Sequence, residues 1–403
     1  MPKSQLRRTV VVLCSVLLLA ACDTLSQRET PATPTAATCP PCPQCPTVPP
    51  PTEPAAKPLQ AARWDELPGW QRDDLAAAWP AFQLSCRALN GKPGNGWKRV
   101  CELAGAVDGK NPAAVRRFFE SHFTPYALIA ADGKSEGLIT GYYEPLLNGS
   151  RTRGKGFNVP AQGVPDDLIT VDLSELVPEL KHLRLRGRLQ GNRLVPYFSR
   201  AEIEARGKPE KVLLWLDDAV EFFFLQVQGS GRVRLPDGSM VRLGYADQNG
   251  HPYKSIGRVL IERGELKAHE ASMQGIQAWA RANPARLQEL LNQNPSYVFF
   301  RELPAGNDGP LGSLGVPLTA GRSLAIDPRF VPLGAPVFLA TSQPNSTEPL
   351  QQLMLAQDTG GAIKGAIRAD YFWGFGPRAG EQAGRMKQAG RLWVLLPSEL
   401  APK

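Results

Sequence analysis

Residues 355–384 read LAQDTGGAIKGAIRADYFWGFGPRAGEQAG. Within this stretch, AIKGAIRAD at 362–370 reads as an alternating strand that ends at Asp370, with Tyr371, Phe372, Trp373 and Gly374 following it. Just upstream, Asp358 precedes Thr359 and the paired Gly360 and Gly361, where the missing side chains let backbone approach a ligand or another strand closely. Working outward, TAGRSLA at 319–325, PVFL at 336–339, QLMLAQ at 352–357 and RLWVLL at 391–396 read as further short strands. Farther upstream, GLITGYYEP at 137–145, LLWL at 213–216, FLQVQ at 224–228 and MVRL at 240–243 do the same, and PDG at 236–238 forms a hairpin turn. Many short strands at this spacing predict a mainly β protein built on a barrel. Helical spacing is confined to 73–89, to 112–122 with Pro112 in its first turn, and to 273–291, which Pro284 interrupts.

The 403-residue chain, 42% hydrophobic and 21% charged, is long enough to bury a sizeable core, and its length suggests about two or three domains. Its beginning bears on location. Lys3, Arg7 and Arg8 precede an apolar run from Val10 to Leu19, too short for a hydrocarbon core of roughly 30 Å. The run ends in Leu19-Ala20-Ala21-Cys22, which resembles a lipobox, so residues 1–21 read as a signal peptide and Cys22 as the lipidated residue. Residues 22–60 form a Pro/Thr-rich tether that cannot bury a core of its own. At about 3.1 Å per residue such a tether reaches on the order of 100 Å, which suits a polymer lying away from the bilayer. The expected product is a periplasm-facing membrane lipoprotein, and Asp23, resembling an inner-membrane retention signal, leaves either membrane open.

Cys86 and Cys101 flank a turn rich in Gly, Pro and Asn and are expected to form a disulfide in an oxidising compartment. Cys39, Cys42 and Cys45 have metal-like spacing but no fourth ligand, and read as linker cysteines. A net charge of +8 favours an acidic polymer or an anionic membrane surface. Nucleic acid is excluded as a partner, because no compact basic stripe is interleaved with aromatics.

With four histidines and no zinc-protease, Cys/His or Gly-x-Ser-x-Gly motif, the chemistry falls to carboxylates. Glu144, Asp217, Asp218, Asp247, Asp327, Asp358 and Asp370 sit on structured, aromatic-rich segments. Asp370 has the aromatic surroundings that desolvate a carboxylate and raise its pKa, as a general acid on a glycosidic oxygen requires.

The stretch 355–384, together with TGYYEP at 140–145, PYFSRAEIE at 196–204, FFLQVQGSGRV at 223–233 and GYADQNGHPYKSIG at 244–257, resembles the membrane-bound lytic murein transglycosylase A family. The resemblance runs from about residue 61 to 397 and implies a double-psi β-barrel formed by 61–146 and 296–403, with a second, β-barrel-like domain inserted at 147–295. It implies Asp370 as the single catalytic acid and base, and Asp358 as a neighbour that orients or tunes it. It implies a groove for glycan made by Thr140, Gly141, Tyr142, Tyr143, Gln226, Gln228, Gly229, Ser230, Tyr245, Gly360, Gly361 and Trp373. No metal or cofactor is called for. The implied partners are peptidoglycan glycan strands, the membrane through the lipid anchor, and cell-wall synthases or scaffolds; the family favours the outer membrane.

The implied reaction needs one carboxyl because the substrate supplies its own nucleophile, the C6 hydroxyl of N-acetylmuramic acid, and leaves a 1,6-anhydro end. A glycoside hydrolase would need a second carboxyl, for which Asp358 or Glu144 stands available. A third reading is a non-catalytic, expansin-like glycan-binding module on the same barrel.

Overall fold

The structure is a computed structural model that describes residues 58–400 apart from 91–95, 179, 181, 182, 184 and 307. The expectations for the signal peptide, Cys22, Asp23, the three linker cysteines and the tether through residue 57 lie outside the described residues. Among the described residues, no helix is long and apolar enough to cross a membrane.

The chain is mainly β with several helices, as its short strands predict. One sheet runs in the order Leu59–Ala61, Phe123–Leu128, Lys387–Pro397, Pro336–Ser342, Pro349–Asp358, Ser323–Ile326, Arg368–Phe375 and Gly137–Glu144. Gly137–Glu144 pairs in turn with Lys387–Pro397, so the pairings of the last six strands return to their start. Leu59 and Gln60, expected in the tether, pair instead with Leu128 and Ala127.

A second sheet is ordered Val298–Leu303, Met240–Gln248, Ser230–Arg234, Leu146–Ser150, Val212–Leu216 and Val159–Gln162. Its edge strand Val298–Leu303, expected in the barrel segment, pairs with Met240–Gln248, where Phe299 and Phe300 complete a buried aromatic core with Tyr197, Phe222 and Tyr297. The hairpin at 236–238 joins two of its strands, with Gly238 at a φ of 84° that few residues other than glycine adopt. A three-stranded sheet of Ile169–Thr170, Arg186–Gln190 and Arg193–Pro196 completes the β structure.

Helices Leu75–Asn90, Lys98–Ala104 and Pro112–His122 pack on the first sheet. Pro112–His122 starts where the sequence sets it: Asn111 accepts from the amides of Ala113 and Ala114, and Pro112 takes the first turn, where its missing N–H costs nothing. Trp79, Phe82, Phe118 and Phe119 from these helices form one aromatic cluster, and Trp70 bridges it to Phe338 of the sheet. Burying each large apolar side chain contributes roughly 1.5–3 kcal/mol. A disulfide joins Cys86 and Cys101, fastening the first two helices together.

Three local readings change. FLQVQ at 224–228 belongs to a helix, Ala219–Gln228, and not to a strand. Asp218 caps it by accepting from the amides of Val220 and Glu221, and Gly229 ends it at φ 80°. The helix is apolar almost all round because both the second core and a cluster around Trp279 cover it, which erases the spacing that marks a surface helix. Residues 362–367 are turn and loop, so the strand starts at Arg368 and Asp370 lies inside it. Residues 319–322 form a turn closed by the Thr319 carbonyl, leaving the strand at Ser323–Ile326. The last helical segment keeps its expected break at Pro284, between Met273–Ala282 and Leu287–Leu291.

Candidate active site

Four neighbouring strands set the site. Ala325, on Ser323–Ile326, stands opposite Asp358 on one side and opposite Asp370 on the other. Asp370 is in turn opposite Thr140. Laterally paired residues face the same side of a sheet, so Thr140, Asp370, Ala325 and Asp358 form one row. Strand spacing places the two aspartate Cα atoms roughly 9.5 Å apart, and the small Ala325 between them leaves both carboxyls open to the space above.

That space is a cleft of about 560 Å³. Asp358, Asp370, Ala325 and Tyr142 form one wall from the first sheet, with Gly312 and Ser313 beside them. Gln228, Gly229, Ser230, Tyr245 and Arg301 come from the second sheet and its adjoining helix. Gln228 also ties the walls together, because its side-chain oxygen accepts from the Tyr143 amide at 3.0 Å.

Asp370 keeps a window on the cleft and is otherwise surrounded by protein. Burial pushes its pKa up; the Thr140 hydroxyl and the Arg368 guanidinium pull the other way, and the Asp358 charge adds to the rise. Thr140 Oγ1 donates to Asp370 Oδ1 at 2.6 Å and accepts from Arg368 Nη2 at 2.9 Å. An arginine only donates, so the direction of this relay is fixed. Oδ1 is therefore an acceptor, and the proton of the neutral carboxyl belongs on Oδ2.

Asp358 is held differently. Its Oδ1 accepts from the Ser313 amide at 2.9 Å, the Ser313 hydroxyl at 3.0 Å and the Thr359 amide at 2.9 Å, while Oδ2 accepts from the Tyr142 hydroxyl at 3.1 Å. Burial again raises its pKa, opposed by those four donors. The neighbouring Gln357 points to the opposite face, where it accepts from Ser323 and donates to Ala81 O and Ser85 of the first helix. This fully buried network anchors the end of the strand from which Asp358 projects.

The other candidate carboxylates are engaged elsewhere. Glu144 pairs with Arg232 at 2.8 Å, Asp247 with Arg186 at 2.8 Å and Asp327 with Arg329 at 2.6 Å. Asp218 caps a helix, and Asp217 accepts from Asn148.

Of the implied groove residues, Tyr142, Gln226, Gln228, Gly229, Ser230, Tyr245, Gly360 and Gly361 line the cleft, and Thr140 reaches it through Asp370. Gln226 has its amide committed inward, accepting from Arg200 and donating to the Val298 carbonyl. Three others do not line the cleft. Trp373 lies on the opposite face, its ring tilted against Tyr371 with centroids 4.7 Å apart and its indole N–H donating to the Met386 sulfur, because strand alternation turns residue 373 away from the face that 370 presents. Gly141 makes room for that indole: a Cβ there would meet Trp373 Nε1 at 2.6 Å. Tyr143 packs against Ala379 and Ala383 with its hydroxyl on the Met273 sulfur. The site residues not read from the sequence are Arg368, Ser313 and Arg301. Arg368 carried a visible signal, two positions from Asp370 and so on the same strand face; Ser313, in a Gly-rich loop, carried none.

Comparison with known proteins fits this geometry. A sequence model described as the MltA specific insert domain matches residues 138–301, and one described as the 3D domain matches 322–396. Membrane-bound lytic murein transglycosylase A of Escherichia coli K12 is 37% identical over 279 residues, 67% of this chain and 68% of the relative. The chain belongs to the membrane-bound lytic murein transglycosylase A family. The Vibrio cholerae member is 32% identical over 66% of this chain and 67% of its own length. Among solved members of the family, MltA from Neisseria gonorrhoeae superimposes with a TM-score of 0.73 at 42% identity, covering 86% of this chain and 94% of that one. E. coli MltA with bound chitohexaose gives a TM-score of 0.61 at 30% identity, covering 82% and 91%.

Proposed function

We propose that this chain is a lytic transglycosylase that cuts the β-1,4 bond between N-acetylmuramic acid and N-acetylglucosamine in peptidoglycan, with Asp370 as its only acid and base. The observation that carries the assignment is the Asp370 carboxyl, raised in pKa by burial and aimed into a cleft of saccharide size, with its proton directed to Oδ2 by the Thr140 and Arg368 relay. Family membership supports the reaction class, and the chitohexaose complex of the E. coli enzyme supports an oligosaccharide ligand.

The protonated Asp370 gives its proton to the bridging oxygen as the bond to C1 breaks. The carboxylate it becomes then takes the proton of the muramic acid C6 hydroxyl as O6 bonds to C1. Bonds and protons balance: one glycosidic bond is lost, one intramolecular bond forms, and Asp370 ends protonated as it began. The nucleophile is held by the sugar itself, which removes most of the entropy cost of recruiting it. Thr140 and Arg368 orient the acid. Asp358, held in place by four donors, raises the proton affinity of Asp370 through its charge.

The strand circuit that closes through Gly137–Glu144 and Lys387–Pro397 fits a double-psi β-barrel, with the second sheet inserted after residue 145. The proposed placement is a periplasm-facing lipoprotein anchored at Cys22. Asp370→Asn keeps the shape of the side chain and cannot exchange the proton, so it is expected to abolish release of anhydro-muropeptides from purified sacculi while strand binding stays nearly intact. Residual activity above about a tenth of wild type, or products with reducing ends in place of 1,6-anhydro ends, refutes the assignment.

A further inference from the structure

The two walls of the cleft differ in charge. The first sheet supplies Asp358 and Asp370, and the second supplies Arg301, the one basic residue among those lining the cleft. Arg301 lies on Val298–Leu303 opposite Gly244, which is itself opposite Ser230, so Arg301, Gly244 and Ser230 form a row facing the acid pair. Of the other arginines of this sheet, Arg232 pairs with Glu144, Arg242 donates to the carbonyls of Pro304, Asp308 and Gly309, and Arg234 lies at the far end of its strand, outside the cleft. The Arg301 side chain is exposed, and its guanidinium makes no hydrogen bond or ion pair to another described residue.

A glycan of N-acetylated sugars is neutral along its backbone, and a planar cation in a sugar cleft has little to hold there. Its natural partner is a carboxylate, to which a guanidinium can donate two parallel hydrogen bonds. On peptidoglycan strands, the carboxylates of the peptide stem are the anions that project away from the sugar rings. The Asp358 charge repels such a group from its own wall, whereas Arg301 attracts it to the opposite one.

We propose that Arg301 receives a carboxylate of the peptide stem and so turns the peptide-bearing face of the strand toward the second sheet, an inference that rests on the peptidoglycan reading above. The stem then fixes which way the muramic acid faces Asp370.

Binding of three probes to the turnover-silenced Asp370→Asn protein tests this without relying on activity. Chitohexaose has no carboxylate, strands stripped by an amidase carry only the lactyl carboxylate at the ring, and intact strands carry the stem. Adding Arg301→Gln is expected to weaken binding of intact strands about tenfold and to leave chitohexaose and stripped strands within about twofold. Arg301→Lys, which keeps the charge but loses the paired donors, is expected to fall between. Equal weakening of stripped and intact strands assigns the contact to the lactyl group and overturns the stem proposal. Equal weakening of all three probes, or of none, removes the carboxylate contact altogether. If wild-type protein yields no anhydro ends from sacculi, the peptidoglycan reading fails on that count, whatever the three binding constants show.

Discussion

The Thr140 hydroxyl donates to Asp370 Oδ1 at 2.6 Å while accepting from Arg368 Nη2 at 2.9 Å, so a residue 230 positions away in sequence decides which oxygen of the acid carries its proton. Thr140→Val keeps the side-chain shape and removes the relay. Without that donor the carboxyl is free to turn, and a hydrogen bond favouring the charged form is gone, so its pKa rises further. The expected outcome is a kcat about tenfold lower and an alkaline limb of the kcat profile displaced to higher pH. A profile measured on soluble glycan strands checks both, and Thr140→Ser should restore them.

Arg368 makes a separable contribution. The groups facing Asp370 are Arg368 on its own strand, Thr140 and Tyr142 on the neighbouring strand, and Asp358 across Ala325. Arg368 is the cation among them, and it lowers the pKa of Asp370 against the rise imposed by burial. Arg368→Met is expected to move the alkaline limb up, and Arg368→Lys to hold it near the wild-type position. No movement in the Met variant would mean that the guanidinium only positions Thr140.

Asp358→Asn should move the limb in the opposite direction. Removing the like charge lowers the proton affinity of Asp370, so activity is expected to fall off at lower pH than in wild type. A second effect concerns stability. The folded pKa of Asp358 is raised by burial, so the native state holds its proton more tightly than the unfolded chain, and its ionised side chain costs stability as pH rises past the ordinary carboxylate value. Asn cannot ionise and can still accept at Oδ1. The variant is expected to melt higher than wild type at pH 7, with the difference shrinking below pH 4, as thermal denaturation at both values would reveal.

Asp327 gives the contrary sign. Burial pushes its pKa up, but Arg329 and the amides of Gly365 and Arg329 outweigh that and bring it to about 2. A depressed folded pKa stabilises the native state above the ordinary value of 3.8, and that contribution is lost as pH falls from there toward 2. The shift corresponds to roughly 2 kcal/mol, and solvent around the half-exposed Arg329 brings it closer to 1 kcal/mol. Asp327→Asn should lose that amount in urea unfolding at pH 7 and little at pH 2. Equal loss at both would trace the effect to packing.

The β-rich class, the two aspartates and the three helical segments at 73–89, 112–122 and 273–291 were legible in the sequence because each has a local signature, whereas the shorter helices Lys98–Ala104, Arg200–Ala205, Ile256–Glu262 and Pro377–Arg385 were not read. FLQVQ misled because a helix covered on both sides looks like a buried strand, although Asp218 and Gly229 marked its ends. Trp373 looked like a sugar platform from its neighbours, whereas a count of strand parity from Asp370 puts it on the far face. Five of the seven candidate carboxylates were indistinguishable until their partners, up to 88 residues distant, came into view. Ser313 reaches Asp358 from a loop 45 residues away, and no local pattern announces such a contact.

The row that unites Thr140 with Asp370 and Asp358 has a bearing on biosynthesis. A chain delivered N-terminus first exposes Thr140 long before its acid exists, and the strand Gly137–Glu144 lacks both of its neighbours, Arg368–Phe375 and Lys387–Pro397, until nearly the whole polypeptide has emerged. A truncated or half-delivered molecule therefore has no means of cutting the wall, so the enzyme's own topology delays its destructive chemistry until synthesis is essentially finished.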